Sequence, residues 1–113
     1  MSNNDTKQGA SGEKQLGILV RKDQYLDQVI NLVEAAYKKG LETQLFFTGK
    51  SVMLTQDPDF ARLVGKATRI SVCDVSFRAN ELSGEVPGVS FRDFATQARN
   101  AEMVGECDRY VVF

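Results

Sequence analysis

The chain has 113 residues, of which 42% are hydrophobic and 26% charged, and its formal net charge is −1. This profile is typical of one globular domain. The near-zero charge gives no electrostatic reason to expect nucleic acid or an anionic membrane as a partner. No apolar run approaches the roughly 20 residues that a membrane-spanning helix needs.

Residues 1–14 (MSNNDTKQGASGEK) are polar, contain Gly, Ser and Asn, and show no apolar period. They predict a disordered tail, and they lack the apolar core of a signal peptide. The chain has two cysteines and no histidine. Because no export signal accompanies them, we expect free thiols in a reducing cytoplasm.

Residues 15–113 predict a single α/β domain, because short apolar runs alternate with stretches of helical periodicity. The predicted strands are 16–21, 43–48, 69–73 and 109–113. The predicted helical stretches between them are 23–40, 57–65, 74–82 and 90–105. This order indicates a mostly parallel sheet with helices on both faces, a three-layer arrangement joined by right-handed crossovers.

Several residues mark the expected ends of these helices. Asp23 is a plausible N-cap and Gly40 the matching C-terminal residue of the first helix, and Asp57-Pro58 predicts the start of the second. In the last helix, Ser90 is expected to open a capping box and Gly105 to end the helix. Its predicted apolar face consists of Phe91, Phe94, Ala95, Ala98 and Ala101.

Cys73 is the candidate catalytic residue, because it ends the run RISVC just before a helix-compatible stretch. Reactive groups collect at the carboxyl ends of the strands in open α/β sheets. The first N–H groups of the following helix favour a thiolate, which is the nucleophilic form of cysteine. Arg69 and Arg78 would assist ionisation and Asp74 would oppose it. The competing interpretation is a buried thiol that acts only as a small hydrophobe.

Cys107 lies between Glu106 and Asp108. Two neighbouring carboxylates raise a thiol pKa, so we expect Cys107 to be a structural and unreactive cysteine. The two cysteines are not spaced as CxxC and have no histidine companions. We therefore expect no metal site built from this chain alone, and we expect no cofactor because thiol exchange at Cys73 needs none.

Five segments in order resemble the DsrE/DsrF-like family, which includes sulfur-relay proteins. These segments are LGILVR, LFFTGKSVML, ISVC, PGVSFRDF and CDRYVVF, and the resemblance covers about residues 16–113. It implies a mainly parallel sheet of about five strands and a trimeric or hexameric homo-oligomer. It also implies a sulfurtransferase or sulfur carrier in which Cys73 passes a persulfide between donor and acceptor proteins.

The sequence departs from the relay members of that family in placing Asp74 directly after the cysteine. Some relatives lack the cysteine, so fold similarity does not settle function. The alternative is a non-catalytic oligomeric subunit, or a module that binds a small ligand at the carboxyl ends of the strands. An independent argument for an oligomer is that Phe46, Phe47, Met53 and Leu54 exceed what one thin sheet would bury.

Overall fold

The computed structural model describes residues 14–113, so residues 1–13 of the predicted tail lie outside the described residues. The strands are β1 Gln15–Val20, β2 Glu42–Phe47, β3 Arg69–Cys73, β4 Phe94–Ala95 and β5 Arg109–Val112. The α-helices are α1 Leu26–Lys38, α2 Asp74–Ala79 and α3 Ala98–Glu106. Three 3₁₀ helices cover Gly49–Gln56, Pro58–Leu63 and Phe91–Asp93.

The five strands form one sheet in the order β4-β3-β2-β1-β5, and every pair is parallel. This architecture confirms the predicted α/β class. Because the strands are parallel, their carboxyl ends meet at one edge of the sheet. β2 and β3 are neighbours there, so Thr48, which follows β2, lies near Cys73 at the end of β3.

Helices cover both faces of the sheet. The larger core packs α1 and the 3₁₀ helices against one face, through fully buried residues such as Val29, Ile30 and Phe60. The smaller core lies on the opposite face, where Met103 of α3 packs with Phe46 and Cys73. Cys73 therefore belongs to the thinner layer, beneath α3.

The four predicted strands are confirmed to within one residue, whereas the predicted helical stretches contain errors, mainly at their ends. α1 begins at Leu26 and has Tyr25 as its N-cap, with no side-chain capping bond. Asp23 is therefore not the cap. Asp57 does cap the next segment by accepting a bond from the Asp59 N–H at 2.9 Å. That segment, however, is a 3₁₀ helix, so the predicted α-helix is wrong there.

The prediction for residues 90–105 is wrong about where the helix starts, which residues form its apolar face and where it ends. Residues 91–93 form a 3₁₀ turn, Phe94 and Ala95 form strand β4, and the α-helix begins only at Ala98. Phe91 is 88% exposed and does not contribute to a helix face. Gly105 does not end the helix, which continues to Glu106.

The structure removes the packing argument for an oligomer. Phe46 and Phe47 are fully buried within the chain and Leu54 nearly so, which leaves Met53 as the one exposed member of that group. Within the described part of the chain, no helix is long and apolar enough to cross a membrane.

Candidate functional site

Cys73 is the last residue of β3, as predicted, and its side chain is only 4% exposed. Phe46 and Met103 pack against it from within the smaller core. A position at the carboxyl edge fits a reactive thiol, whereas such low exposure is typical of a core cysteine. The groups around the sulfur decide between these interpretations.

Two hydroxyl groups from neighbouring elements lie beside the sulfur. Thr48 follows β2, and Ser76 lies in the first turn of α2. The Gly49 N–H donates to Ser76 Oγ at 3.0 Å, and Gln97 Nε2 donates to Thr48 Oγ1 at 3.0 Å. Because each hydroxyl oxygen already accepts a bond, its own proton is free to be donated. The two oxygens are 3.4 Å apart, so a bond between them competes with donation to the sulfur.

These donors favour the thiolate form of Cys73. Burial raises the pKa of Cys73, but hydrogen bonds from the Ser76 side chain and N–H, the Thr48 hydroxyl and the Val75 N–H outweigh it. As a result, the pKa of Cys73 lies below its ordinary value. Helix α2 has only six residues, so local N–H groups rather than a long helix dipole provide its contribution.

Gln97 contributes a further contact, because its Nε2 lies 3.8 Å from Cys73 Sγ. This residue comes just before α3, and it is itself exposed. Its amide donates toward both the sulfur and Thr48, so it extends the donor cluster toward solvent. The site thus draws residues from β2, β3, α2 and the start of α3.

Each of the charged residues that the sequence placed near Cys73 forms a salt bridge. Arg78 Nη2 binds Asp74 Oδ2 at 2.8 Å, and Arg69 Nε binds Asp93 Oδ1 at 3.0 Å. An exposed pair such as Asp74–Arg78 has little net field at a distance. The expected effects of Arg69, Arg78 and Asp74 on the thiol are therefore replaced by neutral hydrogen-bond donors.

Cys107 occupies a different environment, between the end of α3 and β5. Burial, followed by the charges of Glu106 and Asp108, raises its pKa to about 11. A Cβ atom on Gly17 would come within 3.1 Å of its Sγ, so this sulfur fills space above β1. These features fit a structural thiol.

We expect Cys107 to resist alkylation at neutral pH. In a Cys73→Ser variant, its reaction with iodoacetamide should accelerate up to about pH 11, because only the thiolate reacts and the pKa of Cys107 is raised to about 11. Peptide mass spectrometry across the pH range measures this rate. A half-maximal rate near pH 8.5, typical of an unperturbed thiol, would contradict the expectation.

Two cavities are lined by neither Cys73 nor its side-chain hydrogen-bond partners. One of about 780 Å³ is lined mainly by apolar residues around Phe77, Leu82 and Phe94. Another of about 450 Å³ is polar and includes the first residues of β1, β2 and β3. Among residues 14–113, no group of three or more His, Cys, Asp or Glu side chains is placed to hold a metal ion.

Sequence reasoning identified Cys73 but missed Thr48, Ser76 and Gln97. Thr48 was detectable in principle, because it ends the predicted strand next to β3 in a parallel sheet. Ser76 lies three residues after Cys73, a spacing that places it in the first turn of the following helix. Gln97 had no comparable signal, because the surrounding segment was predicted as one continuous helix.

Comparisons with protein-family models, with curated proteins and with solved structures find no match to this chain. The resemblance to the DsrE/DsrF-like family therefore stays a prediction from the sequence.

Proposed function

We propose that the protein carries sulfur as a persulfide on Cys73. The observation that carries this proposal is the set of hydroxyl and N–H donors that lowers the pKa of Cys73 despite its burial. A core cysteine has no need of donors that stabilise its anion, whereas a nucleophilic cysteine does. The resemblance to sulfur-relay proteins supports the same function.

The reaction conserves atoms and electrons without a cofactor. The Cys73 thiolate attacks the outer sulfur of a donor persulfide, R–S–SH. A new S–S bond forms at Cys73 while the donor S–S bond breaks, and the donor leaves as R–S⁻. An acceptor thiolate then attacks the outer sulfur on Cys73, takes it as its own persulfide and regenerates the Cys73 thiolate. Each step resembles thiol–disulfide exchange.

The direct test is persulfide loading. The reduced protein is incubated with glutathione persulfide, and the loaded protein is trapped with iodoacetamide. Peptide mass spectrometry then locates the added sulfur atom. A gain of one sulfur on the peptide that contains Cys73 supports the proposal.

We propose that the sulfur donor is a protein that presents a persulfide and that the acceptor is a protein that presents a thiol. We also propose that the protein acts in the cytoplasm. Both cysteines are free, which is compatible with a reducing compartment.

The second candidate is a non-catalytic subunit or ligand-binding module of the same fold. The 4% exposure of Cys73 favours it, and the apolar cavity of about 780 Å³ has the size of a small-molecule site. Alkylation of the folded protein discriminates between the two functions. A Cys73 that reacts only after denaturation favours the module.

We also propose that the protein is a homo-oligomer, a trimer or a hexamer, on the basis of the family resemblance. Several large apolar side chains are exposed in the single chain, among them Phe91, Val75 and Val104. Size-exclusion chromatography with light scattering at micromolar concentration is expected to give a mass of three or six chains. A monomer mass would contradict the proposal.

A further inference from the structure

The thiol of Cys73 is closed to solvent at the place where a partner must reach it. Cys73 lies at the carboxyl end of β3, where the strand ends meet, yet it is only 4% exposed. Part of the cover is Gln97, an exposed residue whose amide nitrogen lies 3.8 Å from the sulfur. The same nitrogen lies 3.0 Å from Thr48 Oγ1, so the amide bridges the two sides of the site.

The segment that carries Gln97 is anchored on both sides by ionic hydrogen bonds. Asp93 precedes β4, and its Oδ1 accepts bonds from Arg99 Nη1 at 2.7 Å and from Arg69 Nε at 3.0 Å. Arg99, two residues after Gln97, also donates to Ser71 Oγ at 2.7 Å. Ser71 lies two residues before Cys73 on the same face of β3. Arg99 and Asp93 are both largely buried, so their bond is stronger than a typical surface ion pair.

Between these anchors, Phe94 is fixed by an edge-to-face contact with Phe77, with ring centroids 5.1 Å apart, and by the larger core. The residues that follow it, 95–97, are held by fewer interactions. Strand β4 has two residues at the edge of the sheet, and it pairs with β3 only through Phe94 and Ala95. Ala95 is the partner of Cys73 in this register. Segments with few contacts open at a lower free energy than the rest of a fold. The body of α3, in contrast, is tied to β5 by the Tyr110 hydroxyl, which donates to Asn100 at 2.6 Å.

We infer that residues 95–97 form a lid over Cys73, with Gln97 as its contact with the sulfur and the Asp93–Arg99 pair as its latch. The lid opens to admit the sulfur donor or acceptor, while α3 stays docked through Tyr110 and Met103. Gln97 in the closed lid also donates to the thiolate and so protects a stabilised anion. This inference rests on the proposed function in one respect: a partner thiol or persulfide must reach Cys73.

The test measures alkylation of Cys73 by iodoacetamide in the full chain. The chain carries Cys107→Ser, so that Cys73 is the only thiol that can react. The rate at the high-pH plateau, where the thiol is fully ionised, reports access. The midpoint of the pH profile reports stabilisation of the thiolate. Asp93→Asn keeps the shape of the side chain but removes the charge that both arginines bind.

We expect Asp93→Asn to raise the plateau rate about tenfold, the size expected for loss of a charge-assisted hydrogen bond. Gln97→Ala is expected to raise the plateau rate in the same direction, because it removes the cover itself. Gln97→Glu keeps the size of the side chain but places a carboxylate near the sulfur. We therefore expect it to move the profile midpoint to higher pH, an effect that a purely structural role would not produce.

Glu102→Gln is the matched control. Glu102 binds the Nε of the same Arg99 at 3.1 Å but is exposed and lies outside the latch. Its plateau rate should equal that of the parent protein. Melting temperatures are recorded for every variant. Because Gln97 is exposed, Gln97→Ala keeps the test decisive even where Asp93→Asn unfolds the domain.

Two results would overturn the lid. The first is a parental plateau rate in folded Gln97→Ala and Asp93→Asn. The second is a plateau rate that rises as much in Glu102→Gln as in the lid variants. Because alkylation needs no sulfur donor, the experiment can disprove the lid without disproving the proposed function, and the reverse also holds. Absence of persulfide loading with the expected alkylation rates would remove sulfur transfer and leave the lid in place.

Discussion

Replacement of Cys73 by serine is expected to abolish persulfide loading, and Cys107→Ser is expected to leave loading unchanged. A serine hydroxyl does not form the S–S bond that holds the transferred sulfur, and it is not ionised at neutral pH. The donor cluster at Cys73 lowers its thiol pKa, whereas burial and two carboxylates raise the pKa of Cys107 to about 11. At neutral pH the thiolate at Cys73 is therefore far more abundant.

The measurement compares the two variants with the parent protein after exposure to glutathione persulfide, with peptide mass spectrometry as the readout. Cys107→Ser is the matched control, because it makes the same chemical change at the other thiol. Melting temperatures of both variants should be recorded, since Cys73 packs against Phe46 and Met103. Persulfide on Cys107 in the Cys73→Ser variant, at the parental level, would refute the proposed function.

The sequence predicted the elements whose buried residues form a clear apolar run or a clear helical period. In β2, Leu45, Phe46 and Phe47 are all fully buried, and such apolar runs are the mark of a parallel strand covered on both faces. In α1, the buried residues recur at helical spacing. These two patterns, with β1 and β3, were sufficient for the α/β class.

Strand β4 was not predictable because its stability comes from the tertiary structure. Phe94 and Ala95 carry no alternation of their own, and they become a strand only because β3 offers an open edge. The apparent helical spacing from Phe91 to Ala101 was coincidental, as the 88% exposure of Phe91 shows. Short edge elements lack the length over which periodicity can be detected.

The residues of the candidate site also differ in whether a local sequence pattern or the tertiary structure places them. Cys73 was identifiable because a strand end is a local feature of the sequence. Its donors come from separate parts of the chain, and only the parallel register of β2 and β3 brings Thr48 beside it. The predicted N–H donors after β3 do lower its pKa, whereas the expected effects of Asp74 and Arg78 do not arise because the two neutralise each other at 2.8 Å.

Ser76→Ala is expected to slow alkylation of Cys73 at neutral pH about tenfold. The Ser76 side chain is the strongest of the groups that lower the pKa of Cys73 against the effect of burial. A hydrogen bond to a charged group contributes about 1.5–3 kcal/mol, and about 1.4 kcal/mol corresponds to a factor of ten. Without this donor, burial has a larger share in setting the pKa, so the pH profile of alkylation moves to higher pH. Rates of variant and parent should then converge where both thiols are fully ionised.

The experiment uses the Cys107→Ser background, with iodoacetamide alkylation followed across pH. Ser83→Ala is the matched control, because Ser83 is an exposed serine beyond the end of α2. The convergence at high pH separates this effect from the lid, since Ser76 supports the thiolate without covering it, whereas lid variants change the plateau itself. An unchanged midpoint in folded Ser76→Ala would mean that the hydroxyl of Ser76 serves the Gly49 N–H, which lies 3.0 Å away, rather than the sulfur. Cys73 would then lack the strongest of the donors that lower its pKa.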